Sequence, residues 1–288
     1  EEFSPDLTSH IDWGAELFGT GTRGWGSSVD NVTNMSSIQA MAVLKVWFLF
    51  VILRQMASTK PILAAFGAPG AGKSTVFKKI YALLYGRLKA VTGVTTREDF
   101  DFGAANTPFY ALDNVDTWEI WLPDRLALSA GNSDITRRKL WSDTDVVTLR
   151  RQAVVGISAH NPKFGREDVA DRLLLLVYSR LTHFGSEKEL LNDICAKRNE
   201  LWGSIINDLL QVFKTPFPIS NIPQFRIEDF ARLGIWIARA LGCETPFRTA
   251  IEDVKSAQQT FTLEEEGMLV AAIVKLSQRP SKNGVLSG

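Results

Sequence analysis

The chain has 288 residues, 32 basic and 32 acidic side chains, and so a formal net charge of zero. That length allows one large domain or two modest ones with ample core, and the 45% apolar content is ordinary for a globular protein. A zero balance excludes a global basic field of the kind that draws a chain to nucleic acid, though a local basic loop would suffice.

Residues 1–36 are rich in Gly, Ser and Asp, with Trp13 and Trp25 among them, and read as a loop-rich N-terminal extension. GTGTRGWGSS at 19–28 has glycines but no following Lys-Ser pair, so it reads as loop rather than as a second phosphate site. The most apolar stretch is Met41–Leu53. Lys45 interrupts it and it is too short to span a bilayer, so residues 37–57 are expected to form a buried helix. No signal-peptide pattern opens the chain, and a cytoplasmic protein with no membrane partner is expected. A start on Glu1 rather than methionine suggests a piece of something longer. Cys195 and Cys243 are far apart, match no metal spacing, and read as reduced thiols.

Residues 61–66, PILAAF, suit a buried parallel strand, and 75–85 carry apolar residues at helical spacing up to Gly86, a natural C-cap. Between them lies GAPGAGKST, a complete G-x-x-x-x-G-K-[ST] loop comprising Gly67, Ala68, Pro69, Gly70, Ala71, Gly72, Lys73, Ser74 and Thr75. The glycines let the backbone turn its N–H groups inward at a polyphosphate, Lys73 reaches the β- and γ-phosphates, and the Ser74 hydroxyl is placed to ligate Mg²⁺. The following helix adds its positive end to the anion site. The blander reading is a glycine-rich turn, and the strand–loop–helix order argues against it.

Further on, 90–96 reads as a short strand, 97–106 as a helix or turn, 107–112 as a strand, 118–130 as a helix, 137–149 as a hairpin, 152–158 as a strand, 166–171 as a short helical turn and 173–178 as a strand. Strands alternating with helices to about residue 185 mean a parallel sheet with helices on both faces. From 186 on, the segments 187–213, 227–241, 246–259 and 263–277 show helical periodicity. The expected organisation is thus an α/β domain over 37–185 followed by an α-helical domain over 186–288. There is no internal repeat and no low-complexity segment.

Three residues are candidates to complete the loop at the carboxyl ends of neighbouring strands. Asp113 ends the strand FYAL and would hold Mg²⁺ opposite Ser74; otherwise it is a turn aspartate. Asn161 follows AVVGISAH, where an amide would contact the γ-phosphate or the attacking water; otherwise Asn161-Pro162 is a plain turn. The adjacent His160 reads as structural. Arg172 enters a buried strand and needs an anion: either Asp168 or Asp171 of its own chain, or the γ-phosphate of a neighbouring subunit.

GAPGAGKST, then ALDN, SAHN and DVADRLLLL, then a helical region, resembles the AAA+ P-loop ATPases. The likeness is greatest to phage- and plasmid-type ATP-binding proteins found with primases, which are similar to superfamily 3 and minichromosome-maintenance-like helicases. It covers about residues 40–260. It implies an AAA+ core with a helical lid, and a ring, often a hexamer, with ATP and Mg²⁺ between subunits. Lys73 and Ser74 act in cis and Arg172 in trans. It also implies a pore hairpin, here holding Arg137, Arg138 and Lys139 with Trp141 nearby, that meets single-stranded or forked DNA; Asp134, Asp143 and Asp145 would balance those cations in a merely solvated hairpin. Arg232 is a weak candidate second sensor. The sequence departs from the pattern at Asn114, where many hydrolysing members carry a glutamate base. Asp116 or Glu119 then supplies the carboxylate, or Asn114 only orients water, or hydrolysis is slow. A DNA helicase, translocase or loader for replication of a mobile element is the leading expectation. An ATP-controlled assembly switch is the alternative, and a P-loop small-molecule kinase a more distant one.

Overall fold

The computed structural model describes residues 3–19, 28–116, 119–131, 133–138, 146–150, 152–160 and 166–259. Its centre is a five-stranded sheet built from β1 (Ile62–Gly67), β2 (Thr92–Gly93), β3 (Phe109–Asp113), β6 (Val154–Ala159) and β7 (Leu173–Tyr178). The spatial order is β2-β3-β6-β1-β7 and every pairing is parallel. All five carboxyl ends therefore share one edge, the edge at which open α/β sheets place ligands. β4 (Asp134–Arg138) and β5 (Val146–Arg150) form a separate antiparallel pair, registered from Asp134↔Arg150 to Arg138↔Val146.

Strand side chains alternate between two apolar clusters, as a pleated sheet requires. Leu63, Ala65, Phe109, Ala111, Leu174 and Leu176 face one cluster. Ile62, Ala64, Tyr110, Leu112, Leu173 and Leu175 face the other. The first cluster holds α1 (Trp13–Phe18), α2 (Ser37–Leu53), α3 (Lys73–Tyr85), α7 (Glu187–Ala196), α8 (Arg198–Lys214), α9 (Glu228–Ala240) and α10 (residues 244–259). The second holds α4 (Arg97–Asn106) and α5 (Leu122–Ala130), with α6 (Glu167–Ala170) at its margin. The expected α/β sheet with helices on both faces is what forms. The helices from 187 to 259 share one apolar cluster with α2 and α3.

α2 starts at a capping box: the Gln39 N–H donates to Ser36 Oγ, and the Ser36 N–H donates back to Gln39 Oε1. It continues through a 3₁₀ turn at Arg54–Met56, so Ser37–Met56 reaches the length and apolarity of a membrane span. The helix expected over 37–57 thus forms, and it exceeds the apolar run Met41–Leu53 that is by itself too short to span a bilayer. The helix is nonetheless a core element: Trp47, Phe48 and Phe50 are fully buried, worth roughly 1.5–3 kcal/mol each.

The loop-rich reading of residues 1–36 misses a helix. α1 begins at Asp12, whose carboxylate accepts the Gly14 and Ala15 N–H groups. Trp13 is buried, and its indole N–H donates to Asp208 Oδ2 at 2.7 Å. The strand expected over 90–96 shrinks to Thr92–Gly93, and the helix expected from 118 starts at Leu122, where Pro123 occupies the first turn. The helix expected over 263–277 lies outside the described residues.

Candidate functional site

The loop after β1 has the backbone that its glycines allow. Gly67, Gly70 and Gly72 all have positive φ, at 139°, 76° and 73°. At Gly67 no other residue fits, because a Cβ would lie 1.9 Å from the Tyr178 carbonyl oxygen. Gly72 is the left-handed N-cap of α3, so the first N–H groups of that helix open onto the loop. α3 is fixed from below by Tyr81, whose hydroxyl accepts the Ala111 N–H of β3 at 2.8 Å.

Lys73 folds back: its Nζ donates to Gly67 O at 2.6 Å and Ala68 O at 3.0 Å. Partial burial lowers its pKa, opposed first by the charge of Asp116 and then by that of Asp113. The Ser74 hydroxyl donates to Asp113 Oδ1 at 2.5 Å, so the two residues expected to flank a cation are in contact. The β3–β6 register also brings Ser158 to Asp113, and the Ser158 hydroxyl donates to the same oxygen.

Asn114 has φ 56°, and its N–H donates to Ser158 Oγ at 3.2 Å; its side chain is exposed at the turn. Of the two carboxylates considered for activating water, Asp116 is the one at the loop. It accepts the His160 N–H at 2.8 Å, and His160 Nδ1 lies 3.1 Å from Gly67 O. Glu119 is exposed. His160, read from sequence as structural, belongs to the loop's surroundings. Asn161 and Lys139 lie outside the described residues. Arg137 and Arg138 lie on β4.

Arg172 stands at the other end of the sheet. Its carbonyl accepts the Ile62 N–H at 2.9 Å, at the amino end of β1. The β1–β7 ladder then runs from Ile62↔Leu173 to Gly67↔Tyr178, so roughly 20 Å separate Arg172 from the loop of its own chain. Its guanidinium meets Asp168 at 3.5 Å rather than Asp171. Arg232 pairs with Glu228 at 2.5 Å on α9. Asp229, beside it, accepts the N–H groups of Ser58 and Thr59, just before β1. Arg232 is therefore also at the amino edge, which does not suit a second sensor.

Sequence reasoning missed the segment after β7. Leu181 donates its N–H to Gly70 O at 3.2 Å. A Cβ on Gly70 would sit 3.7 Å from Arg180 Nε and 3.5 Å from the Phe184 ring. Glu187, opening α7, accepts from Thr75 Oγ1 at 3.1 Å and from Lys78 Nζ at 2.7 Å. Together Gly70, Gly72, Thr75, Leu181, Phe184 and Leu190 surround a cleft of about 250 Å³ beside the loop. Phe184, 64% exposed, is an aromatic face open to solvent at its mouth.

The sequence model of the family described as "Actinomycete integrative conjugative element replication protein" matches residues 27–257. No curated protein matches the chain. Among solved structures, the apo C-terminal region of NrS-1 aligns over 71% of this chain and 47% of its own length, at 11% identity and a TM-score of 0.44. A further apo structure of that region aligns over 87% and 53%, at 10% identity and 0.44. The JCV helicase aligns over 79% and 58%, at 13% identity and 0.37. The chain thus spans about half the length of these structures, and likenesses so distant carry no argument about its chemistry.

Proposed function

This chain belongs to the actinomycete integrative conjugative element replication protein family, and from that premise we propose that it is an ATP-binding and hydrolysing motor acting on DNA in the replication of a mobile element. The observation that carries the reading is the contact of Ser74 with Asp113 beside a loop whose three glycines all take positive φ. The resemblance to AAA+ ATPases in the order of motifs supports it.

The residues present fit magnesium and a nucleoside triphosphate. Ser74 and Asp113 would hold the cation. Among the described residues no group of three or more His, Cys, Asp or Glu gathers to cage a metal. Mg²⁺ held by one carboxylate and one hydroxyl, with phosphate oxygens and water completing the shell, suits that ion's habit. The loop N–H groups, the start of α3 and Lys73 would receive the β- and γ-phosphates. Bound Mg-ATP supplies the phosphoanhydride bond and the neutralised leaving group. The chain's own residues do the rest. Lys73 exchanges two carbonyl partners for phosphate oxygens. Asp116 takes a proton from water, directly or through a second water that Asn114 orients. Arg180 and Phe184 close over the loop from the cis side. Arg172, out of reach of its own loop, serves the site of a neighbouring subunit in a ring. Arg137 and Arg138, with Lys139, meet DNA phosphates.

The test is DNA-stimulated phosphate release. Turnover is expected to fall by about three orders of magnitude or more in Lys73→Ala, since both binding and charge stabilisation of the transferring phosphoryl group are lost. Wild-type turnover in that variant would sink the assignment. One observation favours a second reading, an ATP-controlled assembly switch: an exposed amide at Asn114 stands where a carboxylate base is expected. Nucleotide-dependent assembly with turnover near the uncatalysed rate, even with DNA present, is the outcome that selects it.

A further inference from the structure

Alongside α5 runs a cleft of about 490 Å³, lined among others by Arg97, Arg125, Arg166 and Arg172. The four guanidiniums are not equally committed. Arg166 is saturated, bridging Asp124 and Asp168. Among the described residues, Arg172 has a single ion-pair contact, at 3.5 Å with that same Asp168. Among the described residues no carboxylate lies within ion-pair distance of Arg97, whose side chain is exposed. Arg125 is the telling one. Its side chain is 8% exposed, its Nε sits 3.5 Å from the buried Asp101, and one terminal nitrogen has no hydrogen-bond partner.

A guanidinium stays charged in a protein, so an unmet N–H in that position is not relieved by deprotonation. Leaving such a donor buried without an acceptor costs about 1–3 kcal/mol, more for a charged group. The planar fork of arginine matches phosphate oxygens two at a time, which lysine does not do. The cleft volume is in the range that admits a small ligand with a few ordered waters.

We propose that this cleft is a second phosphoryl-binding site, in which Arg125, Arg172 and Arg97 receive the oxygens of a terminal phosphate. Its binding of a free phosphate stands whether or not the loop holds ATP, while the second copy's nucleotide rests on the proposed function and the trans role given there to Arg172. Arg166 offsets the charge of Asp124 and Asp168 at the rim, and the incoming anion displaces Asp168 from its long contact with Arg172. Two sources share this chemistry: a free phosphorylated small molecule, or the terminal phosphate of a nucleotide held by a second copy of the chain.

The site is tested with the loop disabled. The Lys73→Ala chain is titrated with inorganic phosphate by calorimetry, alone and combined with Arg125→Met or Arg172→Met. Saturable binding is expected in Lys73→Ala, weakened about tenfold or more by either arginine change, as loss of one charge-assisted contact implies. No binding, or binding indifferent to both arginines, overturns the proposal. Arg125→Met takes a cation from beside the buried Asp101, so if it does not fold, Arg172→Met and Arg97→Met on the more exposed rim carry the same comparison. Mixing Lys73→Ala with Arg172→Met chains in the presence of ATP distinguishes the sources. Turnover above the sum of the two supports the second copy's nucleotide. Phosphate binding without such recovery supports the free ligand.

Discussion

Asp113 Oδ1 joins two elements at the candidate site, accepting hydroxyls from Ser74 on α3 and Ser158 on β6. The aspartate was legible from sequence because it ends an apolar run downstream of a phosphate loop. Ser158 was not, because only the β3–β6 register puts it there. A second residue of consequence is Lys79 on α3. It is 1% exposed, and its Nζ donates to Leu17 O at 3.1 Å. Burial lowers its pKa to about 8, opposed in part by Glu16. The sign follows from linkage. Between about 8 and the unfolded value of 10.5 the unfolded chain binds the extra proton, so the folded state gains stability as pH rises through that window. Below it the full burial penalty applies, up to about 3 kcal/mol. Urea unfolding of wild type against Lys79→Met is expected to show the difference moving in favour of wild type from pH 8 to pH 10.5. A pH-independent difference would mean that Lys79 is not charged in the unfolded reference alone.

At the scale of elements, the strand–loop–helix unit was readable because its signals are local: an apolar run, a fixed spacing of glycines, then helical periodicity. The segment that closes over the loop was not. Thr75 and Glu187 are 112 residues apart, and only the parallel pairing of β7 with β1 carries the chain back to the glycines. The N-terminal helix was hidden for a similar reason. Six residues with glycine and a sparse flanking sequence look like loop, and their partners are distant in sequence: Trp13 bonds Asp208 on α8 and packs on Phe48 of α2, and Lys79 of α3 bonds Leu17 O; the stretch before them leans on α8. The Asn207 side chain donates to Leu7 O and Ser9 O, and Asp6 N–H donates to Asn199 O. The approach needs a missing side chain: a Cβ on Gly203 would stand 1.7 Å from Asp6 O. Gly203→Ala is expected to displace residues 6–9 from α8 and lower the melting temperature, by overpacking of about 1–3 kcal/mol. Hydrogen exchange should locate the loosening there, and unchanged protection at residues 6–9 would contradict this account.

Across the whole molecule, the sheet keeps the glycine loop and Arg172 at opposite edges. The glycine loop sits at the carboxyl edge. Arg172 sits at the amino edge, a position that motif order alone does not reveal, so its role stayed open between an internal ion pair and a neighbour's phosphate. The structure supplies a partner in Asp168, but a long one. A closed ring of identical chains would set the amino edge of one copy against the loop of the next, a heterologous contact that closes by rotation. Sedimentation with a non-hydrolysable ATP analogue is expected to show wild-type chains assembling and Arg172→Ala chains remaining smaller while still binding the analogue. Assembly of both to the same size would leave Arg172 as an internal ion pair.

The six rungs joining Ile62–Gly67 to Leu173–Tyr178 make a ruler of β1 and the edge strand β7. A paired parallel ladder buried on both faces does not stretch, so the spacing between the arginine at one end and the glycine loop at the other is a fixed length of the protein. A ligand at either proposed site would therefore act on the other by tilting the ruler or by reshaping the loops that hang from it. Spin labels at the two ends should report one distance in every nucleotide state, while labels on the segment after Tyr178 should not.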